Sequence, residues 1–372
     1  MARHYFLYMT GLQGVLRSNP LLTLMVFVPA VFAAQALRPE SHTLLFVLSV
    51  LAIVPLAALL SQATESVAAK TGDAVGGLLN ATLGNLTELV ITLSALRAGQ
   101  YLLVKASIAG VIVTNTLFML GMSFLLGGLR HHTQEFNRHG ARLQASLLFL
   151  ATVAMLAPSA VRIADATDAS AFTQQLSLGL SGLLITAYAL GMVFSLRTHR
   201  ELFGSTEHHG EDEQPWPMGV ALVTLAVATI LVALVSEVFV ESVQHAAETF
   251  GMTPAFVGFI IVALVGGAAE MTSAFAAARK NRLDLSVGIA LGSSSQIALF
   301  VAPTLVLLSY VIGPAPMDLR FWPGAVVMML IATLTASLVT NAGRSAWFVG
   351  VLVLMIYLVF AMTLYLLPVA TG

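Results

Sequence analysis

The chain has 372 residues, of which 58% are hydrophobic and 9% charged, with a formal net charge of −1. Soluble domains carry about 25% charged residues, so this chain cannot clothe a water-facing surface, and lipid is the solvent that fits. The near-zero charge gives no field for nucleic acid, and the absence of cysteine excludes disulfides, thiol chemistry and thiolate metal sites.

A membrane-crossing helix needs about 20 mainly apolar residues. In chain order the pattern predicts eleven, with cores near 21–37, 44–63, 75–96, 108–126, 143–161, 176–196, 218–240, 254–278, 287–311, 323–339 and 346–367. The first apolar run is long enough to stay as a span rather than be cleaved as a signal peptide. With eleven spans, Lys and Arg divide 12 to 5 in favour of the side that carries the N-terminus. The positive-inside rule then predicts a cytoplasmic N-terminus, and the short loops fit a bacterial inner (plasma) membrane. The expected partners are the lipid bilayer and an inorganic cation.

The two halves of the chain echo each other. Gly84-Asn85-Leu86-Thr87-Glu88 in span three matches Gly266-Gly267-Ala268-Ala269-Glu270 in span eight. Ala58-Leu59-Leu60-Ser61 before Glu65 matches Ala233-Leu234-Val235-Ser236 before Glu241. The expected fold is therefore all-α and integral to the membrane, one leading helix followed by two five-helix repeats. Five is odd, so the second repeat is inverted, a hallmark of secondary transporters whose site lies between the copies. The expected division is residues 1–38 for the leading segment, 39–200 for the first repeat, 201–217 for an acidic cytosolic linker and 218–372 for the second repeat. The linker carries Glu207, Glu211, Asp212 and Glu213; it reads either as a solvated loop or as a regulatory, cation-sensing segment.

Glu88 and Glu270 carry the functional reading. A charged side chain at the centre of a span costs about 2.5–3.5 kcal/mol on insertion scales, and here the cost recurs at equivalent positions of the two repeats. Hard divalent cations want several oxygen ligands, and two carboxylates balance the charge of one Ca2+. Without the ion the like charges repel in a poorly hydrated site, and protons relieve them. One site that holds either a dication or protons suffices for antiport when access alternates between the two sides.

The neighbours fit this chemistry. Asn85 lies three residues before Glu88 and shares its helix face, and Ser293 and Gln296 in span nine supply a hydroxyl and an amide. These join the two glutamates as expected cation and proton ligands. Asn80, Thr82, Gly84, Thr92, Asn115, Gly266, Gly267 and Ser273 are expected to line the cavity, and Glu65, Glu237 and Glu241 to guard the access path or snorkel to the interface. No P-loop, nucleotide fingerprint or nucleophile elbow occurs, so an ion gradient must drive transport, with no cofactor and no enzymatic step.

The stretch from Val75 to Glu88 resembles the first signature of the Ca2+/cation–proton exchangers, the CAX family. The stretch from Gly292 to Pro303 and the segment Gln134-Glu135-Phe136-Asn137 resemble it too. The likeness covers nearly the whole chain. It implies the cation/Ca2+ exchanger fold, with Glu88 and Glu270 binding Ca2+ and protons and an acidic segment between spans six and seven. One departure stands out: the family's second signature reads Gly-Asn-Ala-Ala-Glu-His, whereas this chain has Gly267 for the Asn and Met271 for the His. Ca2+ is the first expectation, because both carboxylates remain. The alternatives are a Na+-coupled or Na+/H+-type antiporter of the same fold, and a passive cation channel.

Overall fold

The computed structural model describes residues 20–160, 166–199 and 215–366. Lipid leaves no water to satisfy backbone groups, and helices satisfy theirs internally. They are α1 (Leu21–Leu37), α2 (His42–Lys70), α3 (Asp73–Leu83), α4 (Leu86–Arg97), α5 (Tyr101–His131), α6 (Arg138–Ala160) and α7 (Ala171–Thr198), then α8 (Met218–Thr249), α9 (Pro254–Gly266), α10 (Ala268–Arg279), α11 (Leu283–Ile312), α12 (Pro323–Thr340) and α13 (Trp347–Leu366). Every one of the eleven expected stretches is helical over most of its length. Among the described residues, eight helices are continuous, long and apolar enough to cross a membrane: α2, α5, α6, α7, α8, α11, α12 and α13.

Two of the expected continuous spans are broken. The stretch 75–96 divides at Gly84–Asn85 into α3 and α4. The stretch 254–278 divides at Gly267, where α9 and α10 meet at a bend of 59°. The apolar pattern runs through both breaks, which is why hydropathy alone reads each as one helix.

One short strand ladder accompanies the helices. After α5, β1 (Thr133–Glu135) pairs antiparallel with β2 (Arg344–Ala346), with Gln134 opposite Ser345. Gln134 is buried beneath this ladder, and its Nε2 donates to Ala278 O at 2.9 Å and to Asn281 Oδ1 at 3.0 Å. The ladder thus ties the end of α5 and the start of α13 to the end of α10.

α5 is the innermost helix, with 83% of its apolar window buried against 17% for α7. Peripheral helices turn apolar side chains outward, as α8 does with Val223, Val227 and Ile230; this suits contact with acyl chains. At the centre α5 crosses α9 at glycine. A Cβ on Gly110 would stand 2.5 Å from Phe259 Cα, and one on Gly258 would stand 2.6 Å from Ala106 Cβ. Small residues at such a crossing let the backbones pack closely, since lipid supplies no hydrophobic drive between helices.

Candidate functional site

Both helix breaks place a glutamate in the first turn of the following half-helix, Glu88 in α4 and Glu270 in α10. A half-helix N-terminus carries partial positive charge and suits an anionic side chain. Three π-helical turns surround the breaks: Thr114–Met119 in α5, Val257–Val262 in α9 and Ile297–Val301 in α11. Such turns widen a helix locally and recur at functional sites. Here they set Asn115 inside one turn and Gln296 immediately before another.

Glu88 is buried, with 4% of its surface exposed. Its carboxylate lies against Gly266, where a Cβ would stand 3.3 Å from Glu88 Oε1. Gly266 lies four residues before Glu270, so the Glu88 carboxylate packs against the segment that leads into Glu270. Glu270 is partly buried, and its Oε2 has no hydrogen-bond partner.

An amide and hydroxyl network joins the breaks to α5 and α11. Asn85 Nδ2 donates to Gln296 Oε1, and Ser293 Oγ donates to Asn85 Oδ1 at 2.8 Å. Asn115 Nδ2 donates to Ser293 Oγ at 3.0 Å. Asn85, Ser293 and Asn115 are all buried. Segments some 200 residues apart in the chain therefore meet around two carboxyl groups, and the oxygens they present (carboxylate, amide and hydroxyl) are those a hard cation or a proton uses.

A model of the family described as sodium/calcium exchanger protein matches residues 41–197 and 220–366. The chain belongs to that family. It is similar, at 40% identity over 368 residues, to the Ca(2+)/H(+) antiporter of Synechocystis sp., an alignment covering 95% of this chain and 98% of that relative. It is likewise 40% identical over 326 residues to the Ca(2+)/H(+) antiporter ChaA of Bacillus subtilis, covering 87% of this chain and 92% of that one. The solved structure of native YfkE resembles it with a TM-score of 0.79 and 37% identity, over 92% of this chain and 98% of that one. The family is one of transporters, not enzymes.

The remaining expected residues of this exchanger fall into three groups. The first lies at the breaks: Gly266 against the Glu88 carboxylate, Gly267 near Met271 and Asn115, and Thr92, whose Oγ1 donates to Glu88 O at 2.6 Å. Thr92 spends its hydrogen on its own helix and has only acceptor capacity left. Beyond it a narrow cavity is lined by Glu88, Thr92, Ser107, Val111, Val262 and Ile297.

The second group lies toward the Lys70 end of α2. Glu65 is exposed and accepts a hydrogen bond from Ser61 Oγ at 3.0 Å. Ser273 is exposed on α10, Asn80 and Thr82 are partly buried on α3, and Thr82 donates to Leu78 O at 2.7 Å. Gly84 sits at the α3–α4 break, where its backbone N–H donates to Asn80 O.

The third group is not at the site. Glu237 and Glu241 are exposed toward the opposite end of α8, and Glu237 pairs with Arg97 at 3.6 Å. Glu207, Glu211, Asp212 and Glu213 lie outside the described residues. Among the described residues no three His, Cys, Asp or Glu side chains gather as a metal cluster.

Two residues went unnoticed in the sequence. Ser107 lines the cavity beside Glu88, and Tyr357 of α13 meets Thr114 through its hydroxyl at 3.4 Å. A phenol in the middle of a helix of mean hydropathy 2.5 was the available signal for Tyr357, since a buried hydroxyl needs a partner. Ser107 gave none, because its hydroxyl bonds to Leu103 O on its own helix.

Proposed function

We propose that this protein is a secondary active antiporter that exchanges Ca2+ for H+ by alternating access, with Glu88 and Glu270 holding the cation or protons in turn. The observation that carries this reading is the seating of the Glu88 carboxylate on Gly266, one turn before Glu270, whose Oε2 lacks a partner. A dication between these groups would neutralise both charges and use the free oxygen. Protons would do the same when the dication leaves. Either state alone relieves the repulsion, so the two cargoes exclude each other.

Asn85, Ser293 and Gln296 complete the ligand set in this reading. Asn80, Thr82, Ser273 and Glu65 form the approach from the Lys70 end, because the polar groups there are exposed or half-buried while Thr92 and Ser107 at the other end are buried. The chain crosses the membrane eleven times as a leading helix and two inverted five-helix repeats. The broken pairs α3–α4 and α9–α10 are equivalent spans, and the N-terminus is cytoplasmic in a bacterial plasma membrane. The names of the Synechocystis and Bacillus relatives support Ca2+ and H+ as the cargo.

The deciding experiment places the purified protein in proteoliposomes with an internal pH indicator and an imposed proton gradient. Ca2+, Mn2+ and Na+ are supplied separately. Uphill Ca2+ movement coupled to proton flux is expected. Ca2+ movement that follows only its own gradient would make the protein a channel. Coupling that requires Na+ in place of H+ would select the Na+-coupled alternative.

A further inference from the structure

The ladder of β1 and β2 buries Gln134 and Ser345 and turns Glu135 and Arg344 outward. Cationic side chains surround its outer face. Arg130 and His131 end α5, Arg138 opens α6, Arg279 ends α10, and Arg344 stands in β2. Direct contacts draw these segments together. A Cβ on Gly128 would stand 2.3 Å from Trp347 N, so the end of α5 touches the start of α13. His131 Nε2 is 3.0 Å from Arg279 O, and Arg138 Nη2 donates to Asn341 Oδ1 at 3.4 Å.

The nearby carboxylates are Glu135, opposite Arg344 in the ladder, and Asp284 in the first turn of α11. Even so, Arg130, Arg138, Arg279 and Arg344 are exposed and make no ion pair among the described residues, whereas Arg97 pairs with Glu237 and Lys105 with Asp318 near the other end of α5. Directly beside the arginines the surface is apolar. Leu129 is 62% exposed, Trp347 44% and Phe348 54%. The Trp347 and Phe348 rings meet edge to face, with centroids 5.6 Å apart. Tryptophan gathers where acyl chains give way to headgroups. Arg130, next to Leu129, and Arg344, three residues before Trp347, therefore stand at the level of the lipid phosphates.

We propose that Arg130 and Arg344 hold the headgroup of an anionic phospholipid on the outer face of the ladder, with its acyl chains against Leu129, Trp347 and Phe348. Arginine suits the phosphate, because its planar fork can grip two oxygens at once. A lipid fits better than a soluble anion, since charge and an apolar wall occur side by side. The site is tied to the exchanger's centre through the buried side of the same ladder. Gln134 Nε2 donates to Ala278 O at the end of α10, the half-helix whose first turn carries Glu270. The proposal does not depend on which cation is carried.

The test is native mass spectrometry of the purified full-length protein in detergent, offered phosphatidylglycerol and phosphatidylcholine with the same acyl chains in equal amounts. Wild type should retain phosphatidylglycerol about tenfold more than phosphatidylcholine, the scale that two basic residues supply at an anionic surface. Arg130→Gln/Arg344→Gln should bring the two lipids to parity, with an unchanged melting temperature when no lipid is added. Arg38→Gln/Arg320→Gln removes the same charge at the opposite helix ends and should keep the wild-type preference. Excess inorganic phosphate should not displace the bound lipid. A wild-type protein with no preference would overturn the proposal, and that measurement stands even if Arg130→Gln/Arg344→Gln fails to fold. Full preference in Arg130→Gln/Arg344→Gln would overturn it as well. So would equal losses in both double variants, which would mean diffuse charge attraction, or displacement by phosphate, which would mean a soluble-anion site.

Discussion

Gly266 forms the floor beneath the Glu88 carboxylate: a Cβ at 266 would stand 3.3 Å from both Cγ and Oε1 of that glutamate. The carboxylate of one broken helix thus rests on the backbone of the other. Gly266→Ala should fold, since the clash falls on the flexible end of a side chain. It should displace the Glu88 carboxylate from its seat and weaken Ca2+ binding by about tenfold or more, the equivalent of ~1.4 kcal/mol. Titration of the purified variant with Ca2+ measures this, and unchanged affinity would mean that the seat is not used.

Replacing either carboxylate should stop transport. Glu88→Gln and Glu270→Gln keep side-chain size but remove the charge that balances the dication and the group that takes the proton. Ca2+-dependent proton flux in proteoliposomes should fall to that of protein-free vesicles, with gel-filtration profiles unchanged. Exchange at the wild-type rate in either variant would remove the two-carboxylate mechanism.

Asn85→Ala tests the network rather than the charges. It leaves Gln296 Oε1 and the Ser293 hydroxyl without their Asn85 partners. An orphaned buried polar group costs about 1–3 kcal/mol, so the melting temperature in detergent should drop together with Ca2+ affinity. A loss of affinity with no change in melting would assign Asn85 to the cation alone.

Acid should weaken Ca2+ binding. Protons and the dication compete for the same oxygens, and apparent affinity falls about tenfold per pH unit for each proton displaced. Titrations across neutral pH should therefore show Kd rising as pH falls, with a slope between one and two protons. A Kd independent of pH would contradict competition at a shared site.

Gly110→Val should disrupt the fold whatever the ion. Its Cβ would meet the Phe259 backbone, 2.5 Å from Cα, and backbone cannot swing aside. Forcing extra atoms into a packed core costs typically about 1–3 kcal/mol, and more against main chain. The expected outcome is low yield and early thermal unfolding with or without Ca2+. A stable variant would mean that α5 and α9 can separate at no cost.

The sequence alone determined the solvent, the helical stretches and the two glutamates, because composition reports what surrounds a chain and hydropathy reports where it can cross lipid. It also brought Asn85, Ser293 and Gln296 into the same expectation, since polar side chains in apolar helices need partners. The tertiary structure alone decided which of them touch. It broke the expected spans at Gly84–Asn85 and Gly267, where apolar character continues but the helical path does not. It paired Thr133–Glu135 with Arg344–Ala346, strands too short to leave a period of two. It set Glu237 beside Arg97, away from the carboxylates, and it left Asn115 Oδ1 facing the gap at Gly267. These distances follow from helices packing across some 150 to 200 residues of chain, and local pattern carries no information about separations of that kind.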